Sequence, residues 1–207
     1  MIRAVIFDMD GVLIEARDWH FAALNRALAL FGYEISRADH LTRYDGLPTR
    51  RKLEILSQEC GLPRSLHAFV DEMKQLYTME AVHVSCKPSF VHEYALSSLA
   101  AMDYKLAVAS NSKRATVDVM MQKAHLSGYL DCTLSASDVR RPKPDPEIYL
   151  ATMRTLGIPP GDCLIVEDNE HGVRAGVAAG GHVLKVRDVH DVTLANILAR
   201  IGEANAS

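Results

Sequence analysis

The chain reads as an α/β fold, a doubly wound parallel sheet with a Rossmann-like core, interrupted by an inserted α-helical cap domain. Three observations carry that reading. Short, continuous apolar runs alternate with stretches of helical period through the second half of the chain. The strongest runs end in polar clusters. Residues 14–85 break the alternation with a purely helical pattern. The expected division is therefore residues 1–13 and 86–207 for the core and 14–85 for the cap.

Ala4–Phe7 is the first apolar run and ends at Asp8. Continuous runs of this length suit strands buried on both faces of a parallel sheet. Leu24, Ala27, Leu28 and Phe31 then share one helical face, which Gly32 ends. Leu53, Leu56 and Cys60 form a second face, closed by Gly61, and Leu66, Phe69, Val70, Met73, Leu76 and Tyr77 a third. After the insert come a helix over 89–102, a strand over 105–109 and a helix over 113–125. Cys132–Leu134 is a weaker strand. A helix follows over 146–156, opened by prolines and stopped by Gly157. Strands over 163–166 and 182–186 flank a short, small-residue helix over 172–179. Leu194, Ile197, Leu198 and Ile201 mark a closing amphipathic helix, capped by Asp191 or Thr193.

Composition narrows the function. With 48% hydrophobic and 24% charged residues, the 207-residue chain has the balance of a folded domain rather than a disordered one. Its formal net charge of −3 lacks the basic footprint of a nucleic-acid binder. No apolar run is long enough to span a bilayer, and the N-terminus has no signal-peptide layout. The expectation is a cytoplasmic protein, monomeric, without nucleic-acid or membrane partners. Cys60, Cys86, Cys132 and Cys163 form no CxxC pair and read as free thiols in a reducing compartment.

Four polar clusters sit where strands end, the edge at which open α/β sheets bind ligands. They are Asp8-Met9-Asp10-Gly11, Ser110-Asn111-Ser112, Arg141-Pro142-Lys143-Pro144 and Glu167-Asp168-Asn169. Converging carboxylates need a cation, and an all-oxygen donor set favours Mg²⁺. The cation also lets a phosphate dianion approach. Without it, each pair of unit charges at 4 Å repels by about 4 kcal/mol at an effective dielectric near 20. Lys143 adds positive charge, and Ser110 with the following N–H groups can bind phosphate oxygens. One aspartate can attack phosphorus while the other protonates the leaving oxygen and then activates water.

These strings, in this order, resemble the four motifs of the haloacid dehalogenase superfamily over essentially the whole chain. Asp8-Met9-Asp10-Gly11-Val12 resembles the first motif, Ser110-Asn111 the second, Lys143-Pro144 the third and Glu167-Asp168 the fourth. The resemblance implies Asp8 as nucleophile and Asp10 as general acid/base. It implies Ser110 and Asn111 as phosphoryl ligands, and Lys143 as the residue that orients the nucleophile. Mg²⁺ would be held by Asp8, the Asp10 carbonyl and Asp168, with Glu167 acting directly or through water. Dehalogenases of the superfamily lack an acid at the position of Asp10, so its presence points to phosphoryl chemistry on a small phosphorylated metabolite such as a sugar phosphate.

The insert is similar to the small helical cap of the β-phosphoglucomutase-like subfamily. His20 and Gly46 match cap positions of the mutase. Ala16, Asp45 and Thr49 stand where the mutase has threonine, lysine and arginine. Lost cationic contacts disfavour a mutase, which must hold two phosphates, so the phosphosugar mutase is the alternative and a phosphatase the primary reading. Arg50, in the stretch Tyr44–Arg50, is the expected cap cation for the substrate's distal part. A non-enzymatic phospho-switch also uses an aspartate cluster and a lysine. Such domains lack a cap, however, and carry the acceptor on an interior strand of the sequence.

Overall fold

The computed structural model describes residues 1–206. Strand β1 (Ala4–Phe7) leads into helices α1 (Arg17–Ala29), α2 (Arg37–Asp39), α3 (Thr49–Cys60) and α4 (His67–Ser85). Then follow α5 (Phe90–Ala101), β2 (Lys105–Ala109), α6 (Arg114–Lys123), β3 (Cys132–Leu134) and α7 (Glu147–Leu156). The chain continues through β4 (Cys163–Glu167), α8 (Glu170–Ala178), β5 (His182–Lys185) and α9 (Leu194–Ala206). It divides into two compact units, one of Met1–Glu15 with the stretch from Lys87 onward and one of Ala16–Cys86. The crossings lie one or two residues beyond the expected 13/14 and 85/86. Leu13 and Ile14 stay with the first unit because their N–H groups donate to the Met9 carbonyl, each at 2.9 Å. Cys86 stays with the second because its N–H donates to Val82 at the end of α4.

The first unit holds a five-stranded sheet of order β3-β2-β1-β4-β5, every pair parallel. β1 and β4 are buried along their whole length, as continuous apolar runs require, whereas the edge strand β5 is half-buried. Alternate residues point to opposite faces. Ala4 and Ile6 of β1, Ala107 and Ala109 of β2, and Cys163 and Ile165 of β4 pack with Ile148, Tyr149 and Met153 of α7. The strand order reverses between β1 and β4, the topological switch point at which such sheets bind ligands.

Helix termini refine the sequence reading. α8 starts at Glu170 rather than 172, because the Asn169 side chain caps it by accepting from the His171 N–H at 2.9 Å. Of the two candidate caps for α9, Thr193 serves, accepting from the Asn196 N–H. β5 ends at Lys185, yet the Val186 N–H still donates to the Glu167 carbonyl at 2.7 Å. No helix among the described residues is long and apolar enough to cross a membrane. All four cysteines are free; Cys60 is exposed at the end of α3, contrary to its expected place on a packed face.

The second unit is built around Leu24, Ala27 and Leu28 of α1, Leu53 and Leu56 of α3, Val70 of α4, and Tyr44. Phe31, Phe69 and Leu76 were expected on these buried faces and are substantially exposed. A helix needs an apolar stripe of only about 100° to seal a core, and Phe69 and Leu76 fall outside it; Phe31 and Phe69 instead meet edge to face, their centroids 5.6 Å apart. The stretch before α3 is not a simple loop, since His40–Tyr44 forms a π-helical turn.

His40 in that turn is buried, with its ring 5.1 Å from that of Phe21, and neither ring nitrogen has a hydrogen-bond partner. Burial, reinforced by the Lys52 charge, lowers its pKa to about 4. The folded state therefore holds the neutral imidazole, while the unfolded chain takes up a proton below about pH 6.5. Stability conferred by the neutral ring is complete above that pH and falls as pH drops from 6.5 towards 4. Urea unfolding at pH 7 and 4.5 should show a loss of about 2–3 kcal/mol from this group, and His40→Phe should lose correspondingly less over the same interval.

Candidate active site

Register places the acids. β1 pairs with β4 so that Phe7 lies opposite Val166, which brings Asp8 level with Glu167 at the ends of adjacent strands. The Asp8 N–H extends the ladder by donating to the Val166 carbonyl at 2.9 Å. On the other side Phe7 lies opposite Val108, so Ser110 follows just beyond the end of β2. After Asp8 the chain turns tightly. Gly11 takes φ 86°, open to glycine without strain, and its N–H donates to the Ile14 carbonyl.

Lys143 lies at the centre, buried to 4% exposure, its Nζ donating to Asp8 Oδ1 and Glu167 Oε1, each at 2.6 Å. Burial alone would lower its pKa, but the Asp8 and Glu167 carboxylates outweigh that and raise it, so the ammonium is fixed. Asp8 is pushed well above the usual carboxylate range, first by burial and then by Glu167, Asp168 and Asp10, with Lys143 opposing. One ammonium does not balance these carboxylates. Carboxylate oxygens of Asp8, Glu167 and Asp168 lie within 4.8 Å of one another. An all-oxygen, over-charged cluster of this kind fits a hard divalent cation.

Within it Glu167 is already committed. Its Oε1 also accepts from the Tyr149 hydroxyl at 2.6 Å, and its Oε2 faces the N–H groups of Asp168 and Asn169 at 3.2 and 3.4 Å. Glu167, expected to serve the metal directly or through water, thus has both oxygens facing protein donors while one of them also lies in the cluster with Asp8 and Asp168. Asp8 and Asp168 are the side chains better placed to hold the ion.

The remaining motif residues divide by role. Ser110 is buried, and its Oγ accepts from the Ser112 N–H at 3.0 Å. The Ser112 hydroxyl donates to Asp10 Oδ2 at 2.7 Å, holding that carboxylate beside the second cluster. Asn111, expected to bind phosphate, engages the main chain of Lys143: its Nδ2 donates to the Lys143 carbonyl at 3.2 Å and its Oδ1 accepts from the Lys143 N–H at 3.0 Å. It therefore locks the loop that carries the lysine. The expected cap residues belong to the other unit. His20 lies on α1 with Nδ1 3.2 Å from Lys74 Nζ. Gly46 turns the chain at φ 70°. Arg50 is in the first turn of α3 rather than in a loop, 91% exposed and 3.6 Å from Glu54.

Sequence reasoning missed three residues. Ser112 closes the Ser110-Asn111-Ser112 string without an expected role, and its i+2 spacing from Ser110 is the available signal. Tyr149 lies within the helix expected over 146–156 and carries no role in the sequence reading. Gly172 read as the start of a short helix; a Cβ there would lie 1.8 Å from Glu167 Oε1, so the glycine makes room for the carboxylate.

The chain matches the family model of haloacid dehalogenase-like hydrolases over residues 5–186. The phosphorylated carbohydrates phosphatase of Thermotoga maritima is 31% identical over 182 residues, covering 86% of this chain and 82% of that protein. The phosphoglycolate phosphatase of Aquifex aeolicus is 31% identical over 179 residues, with the same two coverages of 86% and 82%. The crystal structure of beta-phosphoglucomutase from Clostridium difficile superposes with a TM-score of 0.87 over 100% of both chains at 20% identity, a likeness of fold.

Replacing an interior helical glycine by alanine ordinarily stabilises by up to about 1 kcal/mol. At Gly172 the sign should reverse. The added methyl must expel a pinned carboxylate, so Gly172→Ala should destabilise by about 1–3 kcal/mol in urea titration and lower turnover.

Proposed function

Because the chain belongs to the haloacid dehalogenase-like hydrolase family, as a phosphoric monoester hydrolase, we propose that it hydrolyses a small phosphorylated metabolite through an aspartyl-phosphate intermediate. The observation that carries this reading is the Asp8 carboxylate, fixed at a strand end by a buried ammonium at 2.6 Å, with a second carboxylate two residues on. A sugar phosphate is the favoured substrate, in keeping with a relative named for phosphorylated carbohydrates.

In the first half-reaction an Asp8 oxygen attacks phosphorus, the bond from phosphorus to the ester oxygen breaks, and Asp10 gives its proton to the departing alkoxide. In the second, Asp10 takes a proton from water, the hydroxide oxygen bonds to phosphorus, and the bond to Asp8 breaks to release phosphate. Lys143 holds the Asp8 carboxylate in one orientation, and Ser110 with the N–H groups after it is available to the phosphoryl oxygens. Asp8, Asp168 and the Asp10 carbonyl would hold Mg²⁺, which would supply the positive charge that lets a dianion approach the carboxylates. The mutase alternative has weaker support: the likeness to beta-phosphoglucomutase, at 20% identity, is one of fold, and Ala16, Asp45 and Thr49 depart from the cap residues that the resemblance to a mutase implies.

Asp8→Asn should abolish phosphate release from p-nitrophenyl phosphate while thermal unfolding stays cooperative. Asp10→Asn should also cripple turnover and, after acid quench, leave phosphate on Asp8 detectable by mass spectrometry. Near-normal turnover of Asp8→Asn would overturn the mechanism. EDTA should remove activity, Mg²⁺ should restore it, and Ca²⁺, with its larger and looser coordination, should not.

A further inference from the structure

We propose that Tyr149 is a positioning residue that acts through Glu167 to hold Lys143 against the nucleophile. The inference rests on the reading of Asp8 and Lys143 given above and adds a residue outside the four motifs. Tyr149 comes from α7, whose other buried residues pack on the sheet, yet its hydroxyl leaves that apolar layer and ends 2.6 Å from Glu167 Oε1. Its ring lies beneath the lysine, with the centroid 4.7 Å from Lys143 Nζ. One fully buried side chain thus meets both halves of the Lys143–Glu167 pair, the ammonium with its π-face and the carboxylate with its O–H.

The arrangement is closed on every side. Glu167 Oε1 receives the Tyr149 hydroxyl and the Lys143 ammonium, while Oε2 faces the N–H groups of Asp168 and Asn169. Gly172 leaves no Cβ to crowd it. Removing the hydroxyl leaves a buried acceptor short of a donor. The carboxylate can then turn, and the ammonium that it shares with Asp8 loses its fixed position. A tyrosine that served packing alone would need no such donor, and phenylalanine would replace it without kinetic effect.

The test is a double-mutant cycle read with p-nitrophenyl phosphate and Mg²⁺. Tyr149→Phe should lower kcat by about ten- to a hundredfold and leave KM within about twofold, because the residue is buried away from solvent and touches the pair rather than the substrate. In Lys143→Ala and Glu167→Ala backgrounds, which remove the ammonium or both acceptor oxygens, the same change should cost less than about twofold, since the route through which it acts is gone. An unchanged kcat in Tyr149→Phe, or the same fractional loss in all three backgrounds, would overturn the proposal. Full activity of Lys143→Ala would instead overturn the underlying reading of the site. If Tyr149→Phe fails to fold, Tyr149→Trp keeps a large π-face and an N–H donor, and partial retention of kcat with no additional loss in Glu167→Ala supports the same route, whereas a loss independent of Glu167 contradicts it.

Discussion

Everything at the sheet's carboxyl edge depends on one buried cation. Lys143 Nζ sits between Asp8 and Glu167 at 2.6 Å from each. Removing one partner of a buried charged set typically costs about 3–5 kcal/mol, because the others are left without compensation. The fold invests heavily in keeping this set together. Asn111 clasps the Lys143 main chain, Tyr149 and two backbone N–H groups hold Glu167, and Gly172 stands aside for it.

The sheet makes that cluster possible without long-range coincidence. The parallel pairing of β1 with β4 puts Asp8 and Glu167 side by side because Phe7 and Val166 are in register. The same central strand pairs with β2, which delivers Ser110 and Ser112 to the opposite side. A slip of one residue in either ladder would turn an acid into the apolar layers and expose an aliphatic side chain in its place. The continuous burial of β1 and β4 is therefore part of how the site is specified, as well as the basis of the core.

Much of this was legible in the residues. Strands buried on both faces show as unbroken apolar runs, and polar strings follow at the ends of three of them; the fourth, Arg141–Pro144, expected at a strand end, lies instead on the loop between β3 and α7 and is brought back to the edge by its bonds to Asn111, Asp8 and Glu167. Helices with a clear cap or a terminal glycine, such as the one closed by Gly157, were readable for the same reason: the signal is local. What was not legible depends on contacts between distant segments. That the Asn111 side chain clasps the Lys143 main chain could not be read until the two segments, 32 positions apart, were seen side by side. That Glu167 also accepts from the Tyr149 hydroxyl could not be read before the two segments were seen together. In the second unit, Phe69 and Leu76 fit a 3.6-residue period, but periodicity does not say how wide a stripe the core will cover. The π-helical turn at His40–Tyr44 has no periodic signature at all.

Charge explains why the proposed reaction would call on both the resident lysine and a bound metal. Burial and three neighbouring carboxylates raise Asp8, yet a nucleophile must be ionised to attack. Lys143 opposes that rise directly, and a divalent cation between Asp8 and Asp168 would complete the balance. The most direct measurement is the single-turnover rate at which Asp8 becomes phosphorylated, read by acid quench and mass spectrometry, in the native protein and in Lys143→Met at saturating Mg²⁺. The account predicts a rate about a hundredfold or more slower in the variant, with the label still on Asp8. Phosphorylation of Asp8 at the native rate without the lysine would contradict it.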